Sequence, residues 1–194
     1  MSLNIDKIRE DFPILKRKIH GKRLIYFDNA ATSLKPIQVI NSIILYYKEY
    51  CANVHRGIHT LSQEASDMYE RAREEVAKMI NAKTNEIIFT LNATDSINSV
   101  AQSWALDSLK EGDVIVTTVM EHHSNMLPWR IVANRVKVEV KYVDITDEGT
   151  LKYEELEELI DENVKLIAIT HVSNVLGTIN DIKRVIKVAH NVGS

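Results

Sequence analysis

The chain has 194 residues, 45% of them hydrophobic and 26% charged, with a net charge of −3. That length buries one substantial core, so one domain over residues 1–194 is expected, and the charge leaves no footprint for nucleic acid. No apolar run reaches membrane-spanning length, the first residues are no signal peptide, and the single cysteine, Cys51, excludes an internal disulfide framework. These features imply a cytoplasmic protein with no membrane partner.

In chain order, residues 5–18 read as a short amphipathic helix interrupted at Pro13. A brief strand over 24–27 runs into a small, polar loop at 28–33. Pro36 suits the first turn of a helix that Ile37, Ile40, Ile44 and Tyr47 continue to about Tyr50. Residues 53–60 break that pattern at Gly57. Ser62 then caps a long helix with Ala65, Tyr69, Ala72, Val76 and Met79 on its inward face.

Alternation follows. Strands are expected at 86–90, 114–119, 136–143 and 164–170, with helices at 94–109, 127–134, 153–160 and 182–190. Charges on alternate positions of 136–143 leave one face or an edge of that strand wet. Strand and helix in turn give right-handed crossovers around a mostly parallel sheet with flanking helices, an α/β fold. The last residues, Asn191-Val192-Gly193-Ser194, form a helix C-cap where this pattern normally begins another strand, so the chain reads as cut mid-fold.

The six glycines are too scattered for a dinucleotide-binding or Walker-type loop. The stretch Leu91-Asn92-Ala93-Thr94-Asp95, between a strand and a helix, offers an alternative anion site through free backbone N–H groups. Most strand-to-helix turns bind nothing, so Asn92 or Thr94 merely capping the helix is the simpler reading, and the Asp95 charge partly counts against a phosphate unless it points elsewhere. In Met120-Glu121-His122-His123-Ser124-Asn125, at the carboxyl end of the expected 114–119 strand, ligands bind in sheets of this kind. His122 and His123 are adjacent and so diverge in extended backbone, and His55 and His59 flank Gly57 without a supporting glutamate, so no metal site is read here. An imidazole at a strand end stacks on a planar ligand, acts as acid or base, or is merely a surface residue. Asn174, past the last strand, is a donor to a ligand oxygen or a turn residue. Cys51 reads as a packed thiol without an activating neighbour.

Four stretches together carry a resemblance: Tyr26-Phe27-Asp28-Asn29-Ala30-Ala31, Asn53-Val54-His55-Arg56-Gly57-Ile58-His59-Thr60-Leu61-Ser62, Met120-Glu121-His122-His123-Ser124-Asn125, and Thr170-His171-Val172-Ser173-Asn174-Val175-Leu176-Gly177-Thr178. In order and spacing they resemble the cysteine desulfurases of the class V aminotransferase group, fold-type I pyridoxal-phosphate enzymes, in the branch that includes selenocysteine lyases and supplies sulfur for iron–sulfur clusters. The resemblance implies part of a pyridoxal-phosphate transferase large domain, without the C-terminal small domain. It implies that His122 stacks on the cofactor ring and shuttles protons, Asn174 bonds the phenolic oxygen, and Ala93 and Thr94 lie at the phosphate. Asn29, Ala30 and His55 line the substrate side, and Arg56 pairs with Asp95 near a homodimer interface. Cysteine is the substrate implied, and a sulfur-acceptor protein the partner. Leu91 and Ala93 replace an arginine and a hydroxyl residue common in this branch, which implies fewer phosphate contacts. None of the lysines falls in a matching motif for the Schiff base, and Cys51 does not match the persulfide cysteine, so these residues alone are expected to be a truncated, inactive form. Two other readings stay open: another class V lyase or aminotransferase, and a non-catalytic interaction module pairing through an open sheet edge.

Overall fold

The structure, a computed structural model, describes residues 3–194 and separates into two compact units, Met1–Ile88 and Phe89–Ser194. In the first, helix α1 (Ile5–Glu10) is capped by Asn4, whose side chain accepts from the Lys7 N–H at 3.1 Å. Pro13 opens a separate 3-10 turn, Pro13–Lys16, which accounts for the interruption read at that proline. Two short antiparallel strands follow, β1 (Lys18–Ile19) and β2 (Lys22–Arg23). The two residues joining them, His20 and Gly21, both have positive φ (50° and 76°), as a two-residue hairpin of this twist needs.

The strand expected at 24–27 is not formed. Leu24 adds one bond to the hairpin, its N–H donating to the Arg17 carbonyl at 3.2 Å. Beyond it Ile25 and Phe27 are 74% and 93% exposed. Their composition suits a strand, but a ladder needs a neighbour, and none is present among the described residues.

Helix α2 (Ile37–Leu45) runs into a wider turn, Tyr46–Tyr50, and α3 spans Thr60–Met79. The cap of α3 is His59 rather than Ser62: the His59 Nδ1 accepts from the Ser62 N–H at 3.3 Å. The inward face agrees with the one expected at Ala65, buried, and Tyr69, half-buried, and differs beyond them. Ser62, Ala65 and Ala77 are buried, whereas Ala72, Val76 and Met79 face outward. Small residues let the backbone approach its neighbours closely, whereas Val76 and Met79 are 37% and 87% exposed. Residues 86–90 likewise form no strand; a 3-10 turn, Thr84–Glu86, leads into extended backbone at Ile87, with no ladder partner among the described residues.

The second unit holds the sheet. Strand β3 (Val114–Thr118) lies between β4 (Glu139–Val143) and β5 (Val164–Ala168), all parallel. All five residues of β3 are buried, which explains its unbroken apolar run. Helix α4 (Ala93–Val100) continues through a wider turn, Ala101–Ala105, into α5 (Leu106–Ser108). These and α6 (Leu127–Val136) cover one face, where Ala101, Ala105, Trp129, Val132 and Ala133 pack on Ile115 and Ala168. Helices α7 (Tyr153–Leu159) and α8 (Ile182–Asn191) cover the other, where Leu156 and Val185 meet Val114, Val116, Val143 and Val164. Odd and even positions of β3 therefore feed two separate cores. This is the mixed α/β arrangement with helices on both faces of a parallel sheet. Among the described residues no helix is long and apolar enough to cross a membrane.

Candidate functional site

Leaving β3, the chain turns at His122 into a 3-10 turn, His123–Asn125, before α6. His122 caps that turn. Its Nδ1 accepts the Ser124 backbone N–H at 3.1 Å and lies 2.8 Å from the Ser124 hydroxyl. A backbone N–H can only donate, so the lone pair sits on Nδ1 and the neutral ring carries its proton on Nε2. The imidazole is exposed at the carboxyl rim of the sheet. Because the backbone bends at His123, the two imidazoles sit with centroids 6.3 Å apart, tilted by 46°.

Underneath, Glu121 is buried, 7% exposed. One carboxylate oxygen accepts from the Thr118 hydroxyl at 2.9 Å and the Thr170 N–H at 2.7 Å. The other accepts from the Asn125 amide at 2.7 Å, and the Asn125 oxygen takes the Trp129 indole N–H at 3.1 Å. The ends of β3 and β5 and the start of α6 are thus joined through one side chain.

Past β5, the loop carrying Asn174 is closed by Ser173. The Ser173 hydroxyl accepts the Leu176 N–H at 3.1 Å, its carbonyl accepts the Gly177 N–H at 2.9 Å, and Gly177 takes a φ of 73°. Asn174 is exposed and is not the residue that holds this turn together. Below it the buried Asn180 donates to the Thr170 carbonyl at 2.8 Å. Neither Glu121 nor Asn180 is singled out as a site residue by the sequence; a buried polar side chain beside a rim loop was the missing signal.

Ala93 and Thr94 open α4, whose cap is Asn92: its Oδ1 accepts the Asp95 N–H at 2.9 Å. The Asp95 carboxylate turns back onto the Leu91 N–H at 3.2 Å and so serves the helix entry. Helix α4 packs against the His123–Asn125 turn. An apolar crevice of about 330 Å³ runs between Ser96, Ile97, Val100, Asn125, Trp129 and residues 166–169, without Thr94, His122 or Asn174 in its walls.

The other expected residues belong to the first unit. Asn29 and Ala30 lie in an exposed turn, where the Tyr26 hydroxyl donates to the Asp28 and Thr32 carbonyls at 3.1 and 2.7 Å. His55 has a left-handed backbone (φ 70°), donates its N–H to the Ser66 hydroxyl at 2.8 Å and sets Nε2 2.7 Å from the Glu70 carboxylate. Its ring meets Tyr69 edge-on at 5.4 Å. Arg56 is exposed on the same turn. The loop is pinned by Ser62, whose hydroxyl accepts the Gly57 N–H at 3.0 Å and donates to the Asn53 carbonyl. A groove of about 740 Å³ in this unit, lined by Phe12, Ile25, Tyr26 and Phe27 among others, includes Asn29 alone of the expected site residues.

Comparison with known proteins connects these features. The family model described as aminotransferase class-V matches residues 25–194. A cysteine desulfurase from Haloferax volcanii is 46% identical over 206 residues, covering 99% of this chain and 48% of the relative. A probable cysteine desulfurase from Halalkalibacterium halodurans is 48% identical over 193 residues, with 99% and 48% covered. Among solved structures, the apo cysteine desulfurase of Thermococcus onnurineus NA1 superposes with a TM-score of 0.89 at 42% identity, covering all of this chain and 46% of that one. The chain spans about half the length of the curated relatives it matches. The family model spans most of the chain and the fold agrees with that of the solved relative, so the chain belongs to the aminotransferase class-V family.

Proposed function

We propose that the chain contributes part of a pyridoxal-phosphate pocket to a cysteine desulfurase, which converts L-cysteine to L-alanine and passes the sulfur on as a persulfide. The observation that carries this reading is the exposed His122 imidazole at the carboxyl rim of a parallel sheet, with Nδ1 engaged and Nε2–H left for a ligand. The residues present suit the cofactor: a flat ring for stacking, the first residues of an eight-residue helix for a phosphate, and an exposed amide at Asn174.

When bound, pyridoxal phosphate supplies an electron sink for carbon–sulfur bond cleavage. His122 would hold the pyridine ring flat and hold a proton at Nε2. The Asn174 amide would donate to the phenolic oxygen, and the Thr94 hydroxyl and the first N–H groups of α4 would bind phosphate. Leu91 and Ala93 carry no polar side chains, so the backbone and Thr94 do most of that work. Asn29, Ala30 and His55 are assigned to the substrate's side, and Arg56 and Asp95 to a homodimer contact, on the family resemblance. A sulfur-acceptor protein completes the proposed set of partners. No lysine of these 194 residues matches the Schiff-base position, so they are proposed to hold the cofactor without turning over cysteine.

Titration of the 194-residue chain with pyridoxal phosphate, followed by visible circular dichroism, tests this. An induced band is expected, weakened about tenfold in affinity by His122→Ala, roughly 1.4 kcal/mol. Borohydride should trap no specific lysine adduct. The absence of any induced band, or one indifferent to His122, would defeat the reading. For the reaction itself, a chimera joining these residues to the C-terminal half of the Halalkalibacterium relative should release alanine from cysteine.

A further inference from the structure

We infer that Glu121 is the positioning residue of this rim: its carboxylate fixes the turn that presents His122 and ties it to the strand end from which the Asn174 loop departs. Insofar as His122 serves a cofactor, this deepens the function proposed above and rests on it; the geometry of the imidazole does not.

A carboxylate taken from water must recover its solvation from donors around it. Glu121 is 7% exposed, and its three partners are uncharged donors: the Thr118 hydroxyl, the Thr170 N–H and the Asn125 amide. Each is committed to donating. The Thr118 hydroxyl already accepts the Met120 N–H at 3.2 Å, and the Asn125 oxygen is occupied by the Trp129 indole. A network so polarised accepts an ionised glutamate and rejects the neutral amide of the same shape, because glutamine turns an N–H₂ group toward one of the donors.

The three donors sit on different segments, two of which are already neighbours in the sheet. Thr118 ends β3, Thr170 follows β5, and Asn125 closes the His122 turn, with its own N–H on the His122 carbonyl at 2.8 Å. Holding Asn125 keeps the intervening Ser124 N–H aimed at His122 Nδ1, and that bond sets which ring nitrogen bears the proton. Thr170 lies four residues before Asn174, so the same carboxylate also fixes where that loop begins.

The polarity of one link can be reversed to test this. Glu121→Gln and Asn125→Asp each place two donors or two acceptors face to face. Combined, the introduced amide donates its N–H₂ to the introduced carboxylate, while its oxygen still accepts from Thr118 and Thr170. That carboxylate still accepts from the Trp129 indole. Long-range ¹H–¹⁵N spectra of the imidazoles in the apo chain, with thermal melts alongside, report the outcome. The native chain should show His122 as a single Nε2–H tautomer. Either single variant should lose that pattern and melt earlier; the double variant should recover the tautomer and most of the melting temperature. A purely structural glutamate would lower the melt and leave the His122 pattern intact, and that result overturns the inference. If a single variant does not fold, a double variant that folds with the native pattern supports it, and one that stays unfolded or folds without the pattern overturns it. No cofactor enters the measurement, so failure of the native chain to bind pyridoxal phosphate would sink the proposed function and leave this inference standing.

Discussion

At the scale of single residues, the chain puts its polar side chains where the backbone bends. Ser62, fully buried, satisfies Gly57 and Asn53 at once, and a Cβ at Gly57 would overlap the Ser62 side chain. Gly57→Ala should therefore cost about 1–3 kcal/mol, since Ser62 is the group that would have to move. A urea melt measures the loss, and a melt unchanged by the substitution would show that the loop is not held as described. The same loop carries His55 in a left-handed conformation, steadied by Ser66 and Glu70, so the strain of that backbone is met by two side chains of α3. His59, one of a pair whose spacing invited a metal reading, is engaged as the α3 cap.

Elements show where local pattern suffices and where it does not. The strand at 114–118 was legible because a strand covered by helices on both sides is apolar on both, and the one at 139–143 because its charges alternate, as on a strand with one face or an edge in water. Residues 24–27 and 86–90 have the composition of strands and no ladder, because pairing depends on a distant partner that composition does not supply. Along α3, Ala65 is inside as its apolar period implies while Val76 and Met79 lie exposed, because what packs against a helix decides which side is inside. Helices α7 and α8 are tied by Arg184, which donates to Glu157 at 2.6 Å and stacks on the Tyr153 ring at 4.8 Å. The hydrogen bond from Arg184 holds the Glu157 carboxyl below its ordinary pKa. Its contribution to stability is thus complete above the unfolded carboxylate value and is lost as pH falls through the lowered one. The pair is exposed, so Glu157→Gln should lower the melting temperature only slightly at pH 7, and by less at pH 3. An equal effect at both values would contradict the ion pair.

On the scale of the whole molecule, apolar surface and unpaired backbone remain uncovered. Ile25, Phe27, Ile88 and Leu91 are 74%, 93%, 82% and 91% exposed, and β4 and β5 each have one edge without a neighbour among the described residues. Such edges and patches are templates for association. Light scattering of the 194-residue chain should give a mass above the monomer that rises with concentration; a monomer at every concentration would refute this. By itself the sequence determined the alternating α/β plan, the rim position of His122 and Asn174, and the family motifs, since burial period and turn chemistry act between near neighbours. Only the tertiary structure decided that Glu121, besides its near neighbours Thr118 and Asn125, gathers Thr170. Thr170 lies 49 residues from Glu121, and a hydrogen bond across that separation exists only once β3 and β5 lie side by side.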